Sequence, residues 1–135
     1  MHIRAALFAI ATAALYAESA VAHHSFAASF DLTKKVTITG TLTKMDWRNP
    51  HIEVFFDVQD GDQPGIWRIE GMPPTFYRDR NLTKADFEGG LGKVFIVTVS
   101  RARDGSAHGL MERLTFPDGR TVIVIGQSPS APATP

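Results

Sequence analysis

The chain has 135 residues, 14 basic and 14 acidic side chains, and no cysteine. The missing thiols exclude disulfides, thiolate metal centres, iron–sulfur clusters and thiol catalysis, and the balanced, dispersed charge excludes the basic face that draws in nucleic acid. Stability must come from packing in one domain, for which 44% hydrophobic residues with two Trp and nine Phe are sufficient material.

The chain opens on Met1-His2-Ile3-Arg4, runs through an apolar stretch from Ala5 to Ala17, and reaches Ser19-Ala20-Val21-Ala22. A basic start, an apolar run and a small-x-small ending are the three parts of a secretory signal peptide, with cleavage expected after Ala22. The apolar run is shorter than the roughly 20 residues that span a bilayer, so no stable membrane anchor is expected to remain. Cleavage removes Arg4 and Glu18, one charge of each sign, and leaves a formally neutral domain over residues 23–127 in the periplasm or outside the cell.

From Lys35 the chain alternates strictly, with Val36, Ile38, Gly40 and Leu42 on one face and Thr37, Thr39, Thr41 and Thr43 on the other. Period two with Thr on the polar side predicts a half-buried strand, and Gly40 within it predicts a bend. Arg48-Asn49-Pro50 interrupts the pattern. A second strand is expected from His51 to Val58, with Ile52, Val54, Phe56 and Val58 facing inward. Asp60 to Gly65 is dense in turn formers, so Ile66 to Glu70 should return as the second arm of a hairpin.

Gly71-Met72-Pro73-Pro74 ends that arm. Short helical segments are expected at 75–81 and 83–87, the second capped by Thr83. Lys93 to Arg101 is apolar almost throughout and reads as a strand buried on both sides. Leu110 to Phe116 and Thr121 to Ile125 read as two more strands around the tight turn Pro117-Asp118-Gly119-Arg120. The tail over residues 128–135 mixes Ser, Ala and Thr with three prolines and is expected to be disordered.

The fold class is therefore mainly β. Three strands, a short helical connection and two or three further strands, with a glycine bend in the first, is the element order of a small OB-like barrel of five to six strands. A small open β-sandwich would give the same local signals.

Four segments together resemble a known family: Ala22-His23-His24-Ser25-Phe26, the Val36–Thr43 strand, Trp47-Arg48-Asn49-Pro50-His51, and Phe116-Pro117-Asp118-Gly119-Arg120. They are similar to the bacterial exported family known as domain of unknown function 6152, over nearly all of the chain that follows the signal peptide. The resemblance implies an envelope location and a small β domain, and it implies no activity. The chain departs from the family pattern at Asn81-Leu82, where a Gly-Trp pair is usual.

Cleavage after Ala22 makes His23 the first residue, so that its α-amine and its imidazole can close a chelate ring on one metal ion. A second imidazole would complete three nitrogens in a plane, which suits Cu(II). His51 is the preferred partner, because it follows a turn at the start of a strand and has Glu53 two residues on along the same side to ligate or to hold the ring. His24 points away from His23 in extended chain, and His108, after the Gly105 turn, is a third choice.

Against the metal reading stands the plain one, in which His23 and His24 are a polar chain start and His51 bonds backbone at a strand end. Trp47 and Trp67 are expected to pack rather than bind. Arg68 and Glu70 share a strand face and can pair with Glu53 and His51 across the hairpin. No nucleophile elbow, phosphate loop, zinc-protease helix or dinucleotide fingerprint is present, so a non-enzyme is expected. Two functions remain open: a copper carrier or buffer, or an interaction module for a peptide, a small molecule or an envelope protein.

Overall fold

The computed structural model describes residues 26–126. The expected signal peptide over residues 1–22, His23, His24 and the tail over 128–135 lie outside the described residues. A helical segment, α1, covers residues 26–29. It leads into β1 (Phe30–Asp46), β2 (Glu53–Val58) and β3 (Gly65–Glu70). Two short helices follow, α2 (Pro74–Arg78) and α3 (Lys84–Glu88), and then β4 (Val94–Ala102), β5 (His108–Thr115) and β6 (Thr121–Ile123).

The six strands form one sheet in the order β3-β2-β1-β4-β5-β6, and a further β3–β5 pairing closes it into a ring. The closing pair is parallel and the other pairings are antiparallel. The helical connection between β3 and β4 and the hairpin of β2 with β3 stand where the sequence places them.

Strand β1 makes closure possible by serving two neighbours. Its residues from Phe30 to Thr41 pair with β4, and those from Thr41 to Asp46 pair with β2. Gly40 sits at the changeover, where an added Cβ would meet Asp57 O, Phe56 Cβ and Val58 Cγ2 at 3.0 Å. The bend predicted at this glycine is thus a close crossing of two strands.

The core fills the ring. Leu42, Ile52, Val54, Ile69, Tyr77, Val97, Val99, Met111 and Leu114 are fully buried. Trp67 is buried as expected, and its Nε1–H donates to Gln63 O at 2.9 Å. Aromatic rings continue from Trp47 through Tyr77 and Phe87 to Phe116 and Phe95, with neighbouring centroids 5.2–5.7 Å apart. Rings at such spacing and tilt attract edge to face. The helical connection closes this end, since Tyr77, Leu82 and Phe87 all point into the core.

Two expectations about strands are corrected. The first half of β4 is buried on one face only, with Val94 and Ile96 54% and 46% exposed because nothing packs on the outer face of the ring there, whereas Ser100 and Ala102 further along that face are buried. β6 ends at Ile123 rather than Ile125, because the N–H groups of Val124 and Ile125 both turn to the Glu112 carbonyl. Glu112 is the extra residue of a bulge in β5, between Met111 paired with Val99 and Arg113 paired with Thr98. The bulge turns its side chain to Ser100 Oγ at 2.5 Å and Lys35 Nζ at 3.0 Å, which satisfies a carboxylate that is nearly buried.

The departure at Asn81-Leu82 has a conformational reading. Asn81 has φ of 57°, in the left-handed region that glycine enters freely and that asparagine tolerates better than other side chains. Leu82, at 6% exposure, supplies the apolar group that packs beneath.

Candidate histidine–carboxylate site

The end of the ring where β3 meets β5 collects the polar residues singled out above. Hydrogen bonding between β2 and β3 continues past the strand ends, with Ile52 N–H donating to Met72 O and Gly71 N–H to Ile52 O. This extension holds His51 against the last residue of β3. On the other side, Arg68 N–H donates to Ala107 O, which sets His108 opposite Arg68 in the parallel register.

Glu70 lies between the two histidines. Its Oε1 lies 2.8 Å from His51 Nδ1, an ion-pair distance, and its Oε2 is 4.0 Å from His108 Nε2. That second separation is too long for a hydrogen bond, and His108 Nε2 is buried without a partner. The carboxylate faces Nδ1 of His51, so the other ring nitrogen, Nε2, is the one turned away from Glu70. Glu53 is engaged elsewhere, 3.3 Å from Arg68 and 3.9 Å from Arg48.

The hairpin pairings named from sequence, Arg68 with Glu53 and Glu70 with His51, are therefore those found. The carboxylate that holds His51 is Glu70 and not Glu53. Spacing along one strand suggested Glu53, whereas the decisive neighbour comes from across the hairpin. The signal that could have found it is the register, since Glu53 and Glu70 are themselves Cα partners.

Burial pushes the His108 pKa below its ordinary value, and the Arg68 guanidinium adds to the effect; Glu70, Glu53 and Asp104 oppose it. The result favours a neutral imidazole. Two phenyl rings cover the site, with Phe26 4.8 Å from the His51 ring and Phe30 4.9 Å from the His108 ring. Arg103 ties the covering segment down by donating from Nε to Ala27 O and from its N–H to Ser29 O, both at 2.9 Å.

His51, Glu70 and His108 thus meet at one point, with Glu53 and Arg68 alongside. Among the described residues, no group of three or more His, Asp or Glu is arranged to hold a metal ion. What the arrangement offers is one oriented imidazole, one buried unpartnered imidazole nitrogen, and a carboxylate between them.

A model described as a family of unknown function, DUF6152, matches residues 10–112 of the chain. No curated protein and no solved structure matches it.

Proposed function

The chain belongs to the DUF6152 family, and from that premise we propose that it is an exported copper-binding β domain, with Cu(II) held by the amine and imidazole of His23 together with His51. The observation that carries this reading is the Glu70 carboxylate placed 2.8 Å from His51 Nδ1. Metal-binding imidazoles characteristically donate their second nitrogen to a carboxylate, which fixes the ring and makes the free nitrogen a better donor. Glu70 is placed to take that part for His51, which would leave Nε2 for the ion.

Chain length supports the same reading. Phe26 packs on the His51 ring and stands three positions after His23, a span of at most about 11 Å. Cleavage after Ala22 would therefore deliver the new amine to the neighbourhood of His51. His108, on the other side of Glu70, is a reserve nitrogen, and His24 faces away from His23 in extended chain. The role is that of a carrier or buffer in the periplasm or outside the cell, not of an enzyme.

The test is a copper competition titration on protein that starts at His23. An extra residue before His23, or His51→Ala, should each weaken binding about 10-fold or more, and His108→Ala should cost much less. Equal affinity for the wild type and His51→Ala would overturn the shared site. Intact mass of exported protein should correspond to a start at His23, and a start at Ser25 or later would overturn the use of its amine.

A further inference from the structure

Among the described residues, strand β1 has an edge that its neighbours leave open. Between Lys35 and Gly40 it pairs with β4 alone, because the pairing with β2 begins only at Thr41. Leu42 exchanges both main-chain hydrogen bonds with Gly92 and Lys93, on the β4 side. By strand alternation Gly40, Ile38 and Val36 also bond toward β4, and Thr37 and Thr39 turn their N–H and C=O groups the other way. The 3.0 Å contact between the Thr37 and Thr98 hydroxyls fits that assignment, since side chains come closest at the positions that do not exchange main-chain bonds. Among the described residues, no main-chain group of the loop after β2 hydrogen bonds to Thr37 or Thr39.

This edge lines a groove of about 500 Å³ whose other wall is the segment from Asp57 to Gln63. Val36, Val58 and Trp67 give it an apolar lining, and Asp57, Asp60 and Asp62 give it negative charge. The one cation in the lining, Arg101, is already bonded to Gln63 and lies 5.5 Å from the Trp67 ring.

We propose that the groove binds an extended peptide of alternating aliphatic and basic residues from a partner protein, which adds as a strand to the β1 edge at Thr37 and Thr39. An unpaired edge bonds any extended main chain, and selectivity then comes from the side chains on either side of it. With period two, one set of side chains meets Val36 and the rims of the nearly buried Val58 and Trp67, and the other meets the three carboxylates. The chain's own tail over residues 128–135 is a poor occupant, because it carries no Lys or Arg and its three prolines lack N–H donors.

The probe is an acetylated, amidated peptide of three Val-Lys repeats, titrated into the isotope-labelled full domain and followed by amide NMR. The expected result is shifts and slowed exchange at the Thr37 and Thr39 amides, with a change in Trp67 fluorescence. Asp60→Asn with Asp62→Asn should weaken binding about three- to tenfold, and both positions are exposed, so the fold should survive. N-methylation of alternate peptide residues should abolish binding. Equal binding of a Val-Glu peptide, indifference to N-methylation, or shifts confined to other strands would overturn the proposal. Dimerisation through the β1 edge without a peptide response would also overturn it, in favour of a second copy as the occupant.

Discussion

Arg68 on β3 and His108 on β5 are register partners across the parallel pair that closes the ring. The closure itself therefore sets a guanidinium beside a partly buried imidazole, and both that burial and the charge disfavour protonation of His108. Unfolded, the same histidine titrates near its ordinary 6.5. Its folded pKa is lower, so its contribution is intact above about 6.5 and is lost as the pH falls, because the unfolded chain takes up the proton first. In metal-free protein kept in chelator, Tm should decline from pH 7.5 to 5, and His108→Asn should flatten that slope. A slope unchanged by His108→Asn would show that other groups govern the acid side.

The 2.8 Å approach of Glu70 to His51 Nδ1 makes a prediction about copper that distinguishes two neighbouring carboxylates. Glu70→Gln should weaken Cu(II) binding about 10- to 100-fold, because the amide is a weaker acceptor and leaves the ring free to turn. Glu53→Gln removes only partly exposed pairs with Arg48 and Arg68 and should change binding little. The same competition titration measures both, and a larger loss for Glu53→Gln would reverse the assignment.

Gly71 stands where the chain leaves β3, with no room for a side chain. A Cβ there would strike the Tyr77 hydroxyl and would come to 2.8 Å of Ile52 Cγ1. Tyr77 cannot easily yield, since its ring is buried, its hydroxyl accepts from Met72 N–H at 3.2 Å, and burial pushes its pKa up to about 12. Gly71→Ala should cost about 1–3 kcal/mol by denaturant unfolding. Adding Tyr77→Phe removes the struck oxygen and should recover part of the loss, so strictly additive costs would contradict this account.

Asn81, at φ of 57°, offers a simpler test. Asn81→Gly should leave stability within about 1 kcal/mol of the wild type, whereas Asn81→Val should lower it by about 1–2 kcal/mol or more, because a β-branched side chain is strained in the left-handed region. Thermal unfolding of both variants would show whether the backbone or the Asn side chain matters at this turn.

Much of the architecture was legible because alternation is local. Val36 to Leu42 and Ile52 to Val58 announce half-buried strands residue by residue, and Asp60 to Gly65 announces the hairpin between them. β4 misled for an instructive reason. Val94 and Ile96 are apolar yet exposed, and composition along a strand cannot say whether a second layer covers its outer face.

The sequence by itself determined the mainly β class, the hairpin, the helical connection and the likeness to a family, since each depends on residues close together in the chain. Only the tertiary structure decided which carboxylate holds His51 and that His108 shares its location, because those depend on the β2–β3 register and on the β3–β5 closure. The open edge at Thr37 and Thr39 belongs to the same class. Alternation marks the strand, but whether a neighbour satisfies each backbone group is settled only when distant segments pair.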